Sequence, residues 1–467
     1  MASILNTSPC SLVQRQPQGR RLGEAGFLLI LFACMALPPI RLRDLDFLIR
    51  PELVVLSALV LLYGWLLLAG LARPIRFNAM FLVALSFCAA VLISMIYGAD
   101  ALHHQLVSSD YFEIPKAWLP ALYFTVAYES NLSERALKRL LTFMAVPTLF
   151  VCVYAWAQRL EWNIAYRLNP YFAGGEHNEA SLQVYGRVYS TFGNPNVLGQ
   201  FLSWMIVLYA AAAIFQVGGH LRNVGIVSIC MVTAVLTGSR YALLSTGIGL
   251  VVLLFLVAGS PRSATRMAGL LLLIGALASI FVVTQNSSRQ TQKRFEELRH
   301  PSDVASLRDR LDNLWLEAGN FIASSPIVGH GPAKQIFGSA LTDSEYLDVL
   351  KQFGFVGFIP YLFYYLWGLH RLRRGLKAGQ CLGPFFEGQN PATYLFVRAG
   401  LPIVIMALIM NVGMFTYYNW TIMGFLWLLI GLTARAGKTL VDTLQDLSPQ
   451  YRLSANPSHV NPGTGRT

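Results

Sequence analysis

The chain has 467 residues, 55% hydrophobic and 13% charged, with a mean hydropathy of +0.49. A soluble protein of this size would carry about twice that charged fraction, so a soluble enzyme is excluded. The formal net charge of +12 does not point to nucleic acid: much of it sits in short loops facing anionic lipid, and the rest gathers on one membrane face, where an anionic substrate is the better fit.

The apolar residues fall in blocks close to the ~20-residue run that a helix needs to cross hydrocarbon. No period-2 alternation recurs as a transmembrane barrel would require. The predicted spans, in order, are about residues 24–40, 52–72, 78–97, 115–129, 139–158, 196–216, 223–238, 241–258, 267–284, 352–369, 395–416 and 419–434. The expected fold is an all-α polytopic membrane protein of about twelve transmembrane helices with a large helical loop between the ninth and tenth. This divides the chain into an N-terminal bundle (1–284), the loop (285–351), the C-terminal helices (352–434) and a tail (435–467) expected to be disordered, with its Ser/Pro/Asn/Gly-rich part starting near Ser448.

Orientation follows from Lys and Arg in the short loops. With the N-terminus inside, cytoplasmic segments hold Arg15, Arg20 and Arg21, then Arg73 and Arg76, then Arg135, Lys138 and Arg139. Arg262 and Arg266, the run Arg371, Arg373, Arg374 and Lys377, and finally Arg435 and Lys438 complete the set. The opposite loops are poorer except for Arg41, Arg43 and Arg50 in the first. Both termini are therefore expected inside and the long loop outside, where its arginines do not count against the rule because long segments translocate regardless of charge. The first apolar run, followed by Pro38-Pro39 and further spans, reads as an uncleaved anchor. Of the six cysteines, Cys34, Cys88, Cys152 and Cys230 fall in spans and Cys10 and Cys381 on the inner side, so none is placed for an external disulfide or a zinc site.

Three external segments carry residues suited to chemistry. Before the sixth span, Asn194-Pro195-Asn196 reads as a capped helix start; Arg187 lies just upstream, either a snorkelling cation or a functional one. Thr237-Gly238-Ser239-Arg240-Tyr241 is a tight break between two apolar runs. A cation so close to hydrocarbon usually faces an aqueous site or a partner, although a lone tip Arg can also meet lipid phosphate.

The long loop is the third segment. Leu307, Leu311, Leu314 and Ala318 recur at helical spacing, predicting a helix over 303–323 with Ser302 as its N-cap. Arg308 and Arg310 lie in it, interleaved with Asp309 and Asp312, which alone reads as an exposed salt-bridged face. Gly329-His330-Gly331-Pro332 then makes a turn, and Asp343-Ser344-Glu345-Tyr346 opens the next helix, where Asp343 is a cap candidate as well as a candidate base. Fixed guanidinium forks stabilise a leaving diphosphate without a metal, and a carboxylate beside them can take a proton from an attacking hydroxyl. Catalytic roles are expected for Asp343, Arg240 and Arg187, and substrate contacts for Arg308, Arg310, Glu345, Tyr346 and His330. No metal or other cofactor is expected; Asp44-Leu45-Asp46 resembles a metal-binding tripeptide, but such triplets are common by chance and Arg41, Arg43 and Arg50 offer ordinary salt partners.

The motifs RVYSTFGNPNVLG, TGSRYALL, SLRDRLDNLWLEAGNFIASSPIVGHGP and DSEYLDVLKQFGFVGFIPYL, in that order, resemble the bacterial O-antigen ligase and Wzy-type polymerase superfamily over about residues 187–361. The resemblance implies an integral-membrane, metal-independent glycosyltransferase of GT-C type in the bacterial inner membrane. Its donor would be an undecaprenyl-diphosphate-linked glycan, used on the periplasmic face, with membrane lipid, a chain-length regulator and a flippase as partners. It implies that Arg187 and Arg240 are the essential arginines and that Arg308 or Arg310 is the loop arginine. Ligases of the family carry His where this chain has Asp343, which looks more like the polymerases of O-antigen, capsule or exopolysaccharide repeats. Transfer of finished polymer to lipid A-core is the alternative. A transporter ranks lower, since it would need ionisable residues deep in the spans or an inverted repeat.

Overall fold

A computed structural model of the chain describes residues 18–37, 40–42, 47–70, 78–130, 132–172, 180, 182–184, 186–257, 265–272, 275, 308, 310–337 and 342–454. Its first half contains α1 (Gln18–Ala36), a short antiparallel ribbon of β1 (Ile40–Leu42) and β2 (Phe47–Ile49), α2 (Pro51–Leu68), α3 (Ala79–Asp100), α4 (Glu113–Glu129), α5 (Glu134–Arg159) and α6 (Asn163–Phe172). There follow α7 (Pro195–Ile214), α8 (His220–Leu236), α9 (Arg240–Val257), α10 (Leu316–Ser324), α11 (Glu345–Gln389), α12 (Pro391–Met410) and α13 (Trp420–Ser454). The fold is all-α and polytopic. Among the described residues eight helices, α2, α3, α5, α7, α9, α11, α12 and α13, are long and apolar enough to cross a membrane. The apolar stretches Gly26–Ala36 of α1 and His220–Leu236 are shorter, and the predicted ninth span is described only at 265–272 and 275.

Helix starts follow local chemistry. Asn78 accepts the Met80 amide at 2.9 Å, Ser133 that of Ala136 at 3.2 Å, and Asn194 that of Asn196 at 2.8 Å, while Pro51, Pro195 and Pro391 occupy first positions, where a missing N–H costs nothing. Hydropathy does not decide which helix is central. Helices α2 and α7 are nearly equal in mean hydropathy, yet α2 is largely exposed and the apolar stretch of α7 is fully buried. Small residues explain much of the difference. The run Ala210–Ala213 in α7 lets neighbours close in, whereas α2 turns Leu61, Trp65 and Leu68 outward, as a lipid-facing helix does. Helices α11 and α13 approach until Gly375 meets Gly437 backbone to backbone, and α13 also packs along α4 and α12.

Contacts sort the connections into two ends. At one, the Glu134 carboxylate accepts the Ala392 and Thr393 amides at 2.7 and 2.9 Å, Arg222 donates to Thr142 Oγ1, and Arg266 donates to the Ile214 carbonyl. At the other meet the α3–α4, α8–α9 and α12–α13 connections, the start of α7 and the long loop. Among the described residues, the α4–α5, α7–α8 and α11–α12 connections lie at the first end and the α3–α4, α8–α9 and α12–α13 connections at the second.

Helix α11 breaks at Gly354 (φ 57°, ψ −164°). The loop before it fills the break: Phe355 and Val356 amides donate to the Pro326 and Ile327 carbonyls at 2.9 and 3.1 Å, and His330 and Gly331 amides to those of Lys351 and Gln352 at 3.1 and 2.8 Å. Irregular backbone at this depth persists because protein satisfies it. Of the predicted helix over 303–323, Ser302, Asp309 and residues 303–307 lie outside the described residues; Arg310–Trp315 is π-helical and runs into α10, which ends at Ser324. The tail expected to be disordered from 435 is helical to Ser454. Leu440, Val441 and Leu444, at helical spacing, pack on the core and prolong the helix. Asp44, Asp46, Cys10, residues 285–307 and residues 455–467 lie outside the described residues.

Candidate active site

The α8–α9 connection is a tight reversal because Gly238 takes a left-handed turn (φ 61°) and Arg240 opens the next helix. Arg187 is stitched to it. Its Nε donates to the Thr237 carbonyl at 2.8 Å and a terminal nitrogen to Asn196 Oδ1 at 2.8 Å, which ties the tip to the start of α7. Arg187 and Arg240 are both half-buried.

Tyr241 extends the site towards the long loop. The Arg310 guanidinium lies 5.3 Å from the centre of its ring, a cation–π distance, and donates from Nε and a terminal nitrogen to Asp343 Oδ2 at 3.1 and 3.0 Å. Asp343 sits at φ 54°, a left-handed position that Asp tolerates better than most residues. Ser344 rather than Asp343 stands at the N-cap, without a side-chain cap bond. The Asp343 side chain is 44% exposed against 17% for Arg310, and among the described residues the bonds from Arg310 fall on Oδ2. Trp315 Nε1 donates to the Thr342 carbonyl at 2.9 Å and pins the same segment.

The remaining sequence candidates divide. Arg308 is exposed on the turn before Arg310. Tyr346 donates its hydroxyl to the Leu408 carbonyl at 2.6 Å. His330 is buried, with Nε2 shared by Ser324 Oγ and the Phe321 carbonyl at 2.9 Å each and Nδ1 3.3 Å from His104 Nε2. Burial and the neighbouring His330 ring hold the His104 imidazole below its ordinary range. Glu345 is fully buried. It accepts the Tyr417 amide at 2.7 Å, together with the Thr416 amide and the Tyr361 hydroxyl. Both oxygens are thus engaged by protein groups.

Sequence reasoning missed a buried ionic cluster beneath these residues. Glu113 pairs with Lys116 at 3.0 Å and Lys334 at 2.9 Å, and Asp348 with Lys351 at 2.8 Å. The Lys116 ammonium also lies 4.2 and 4.0 Å from the Tyr417 and Tyr418 ring centres. Lys334 binds the α3–α4 connection through the Ser109 carbonyl at 2.6 Å and, by its backbone amide, Asp110 Oδ1 at 3.1 Å. The available signal was two opposite-charge pairs at i, i+3 inside apolar stretches, a spacing at which charges can pair along a helix.

These features define a polytopic helical membrane protein in which separate connections bring arginines and the Asp343 carboxylate to the same end of the bundle. Residues 225–362 match the family model described as O-antigen ligase, which supports the O-antigen ligase/Wzy superfamily for this chain. The match spans Arg240, Arg308, Arg310, His330, Asp343, Glu345 and Tyr346, and Arg187 precedes it. A search of curated proteins finds no match to the chain.

Proposed function

We propose that the protein is a metal-independent membrane glycosyltransferase that polymerises undecaprenyl-diphosphate-linked oligosaccharide repeats on the periplasmic face of a bacterial inner membrane. The observation that carries this reading is the gathering of Arg187, Arg240 and the Arg310–Asp343 pair at one end. In the reaction an acceptor sugar hydroxyl attacks the anomeric carbon of the donor. The bond from that carbon to the diphosphate oxygen breaks, the hydroxyl proton passes to Asp343 Oδ1, and the released diphosphate takes up the bonding pair. Arg187 and Arg240 stabilise that developing charge, while Arg310 holds the carboxylate in place. A flippase would supply the donor and a chain-length regulator would act on the product.

The description of the matching family favours a second reading, transfer of finished polymer to lipid A-core. Glycan profiles separate the two. For a polymerase, deletion of the gene, Arg240→Ala and Asp343→Ala each abolish long chains while single repeats persist. For a ligase, polymer forms and stays on the carrier lipid. Normal attached chains of normal length in both variants would remove the mechanism, and loss of in vitro activity with a chelator would remove metal independence.

A further inference from the structure

The Glu345 carboxylate lies two residues from Asp343 and is the hub of a network that joins three elements. Its oxygens hold the Thr416 and Tyr417 amides and the Tyr361 hydroxyl. Its own amide donates to the Asn411 carbonyl at 2.9 Å. Asn411 Nδ2 in turn donates to the Tyr361 and Tyr365 hydroxyls at 2.8 and 3.0 Å, and Thr416 Oγ1 to Asn411 Oδ1 at 2.6 Å. The connection from α12 to α13 is thereby fixed against the start of α11.

That connection also touches the reacting side. Gly413 within it lies flat against the Tyr241 ring, where any side chain would overlap the ring. Tyr241 carries Arg310 on its face, and Arg310 holds Asp343. The path closes on itself: Asp343, Arg310, Tyr241, the Gly413 connection, Glu345, and back along the chain to Asp343. A buried carboxyl group with both oxygens hydrogen-bonded favours one arrangement, because any other leaves buried polar groups unpaired in a low-dielectric interior.

Resting on the proposed function, we infer that Glu345 is a positioning residue, which fixes the α12–α13 connection so that Tyr241 and Arg310 present the Asp343 carboxylate in one orientation. It touches neither donor nor acceptor. The experiment uses the full chain, purified into lipid nanodiscs, with a lipid-diphosphate-linked oligosaccharide as substrate. Glu345→Gln keeps shape and one acceptor oxygen but replaces the other acceptor by an NH2 donor, which breaks the pattern of bonds to Tyr361, Thr416 and Tyr417. The expected result is a kcat lower by on the order of 10- to 100-fold, the penalty of a misplaced catalytic group, with KM unchanged. In an Asp343→Asn background the same substitution costs no further activity, because its effect runs through Asp343. Tyr361→Phe, a milder change to the same network, is read in the same way if Glu345→Gln is not recovered folded. An unchanged kcat, a raised KM at constant kcat, or multiplicative losses in the double variant each overturn the inference. A wild-type protein that transfers no glycan would instead overturn the functional reading on which it rests.

Discussion

Arg310 makes contacts that a lysine cannot reproduce. Its planar fork places two donors on one Asp343 oxygen while its face lies on Tyr241, and a flexible ammonium offers a point charge instead. Arg310→Lys is expected to lower turnover about tenfold or more while leaving the amount of folded protein unchanged, as read by a transfer assay beside size-exclusion of the purified variant. The ring pair His104 and His330 gives a pH test. His104 is held below its ordinary range, so as pH falls through about 6.5 the unfolded chain takes up the proton before the folded one does. The contribution of this contact is present above that pH and declines below it. Thermal midpoints measured from pH 8 to pH 5 should fall at the acid end, and His104→Gln should flatten the fall; a profile identical to wild type would show that the contact does not titrate. Arg240 and Asp343 were legible in the sequence because each is an unusual charge beside an apolar run or helix start. Glu345 was legible as an acidic residue beside Asp343, and a substrate contact was expected of it. That it faces inward depends on the α12–α13 connection, 71 residues further on at Thr416, and local spacing says nothing about so distant a partner.

Among elements, the break in α11 and the loop that fills it form one device. The sequence showed a turn at Gly329-His330-Gly331-Pro332 and, separately, an apolar span from about 352 with Gly354 inside it. Their mutual dependence was hidden because it consists of backbone hydrogen bonds, which carry no side-chain signature. At Gly354 the positive φ and the Ile327 carbonyl leave no room for a Cβ. Gly354→Ala should therefore cost about 1–3 kcal/mol from backbone conformation alone, with the overlap added, and should release the 326–331 loop to proteolysis; an unaltered midpoint and cleavage pattern would refute the clasp. The ionic cluster beneath holds the same loop. Lys116→Met leaves Glu113 buried with Lys334 as its sole remaining cation among the described pairs, and breaking a buried pair on one side costs roughly 3–5 kcal/mol. Replacing Glu113 and Lys116 together by apolar residues should recover much of that loss, since pairs of this kind contribute little net stability against a well-packed apolar substitute.

For the whole molecule, hydropathy blocks revealed the class of fold, but hydropathy alone could not rank helices by depth, as α2 and α7 show. A sidedness is expected from the Lys and Arg bias, and the contacts gather the described connections at two ends. What assigns those ends to compartments is labelling, and the chain carries its own reporter. Cys381 is exposed, whereas Cys34, Cys88, Cys152 and Cys230 are buried. Cys381 lies on α11 beyond its apolar stretch, near Glu387 and its ion pair with Arg398, at the end opposite the candidate site. In a Cys10→Ser background, a membrane-impermeant maleimide should leave Cys381 unmodified in intact cells and modify it after permeabilisation. His103, exposed in the α3–α4 connection, marks the other end, and His103→Cys should react in intact cells once the outer membrane is made porous to the reagent. The reverse pattern would put Arg187, Arg240 and Asp343 in the cytoplasm, on the wrong side of the membrane for a glycan already carried across it. Labelling of both positions in intact cells would place the two ends on one side and remove the two-sided reading of the bundle.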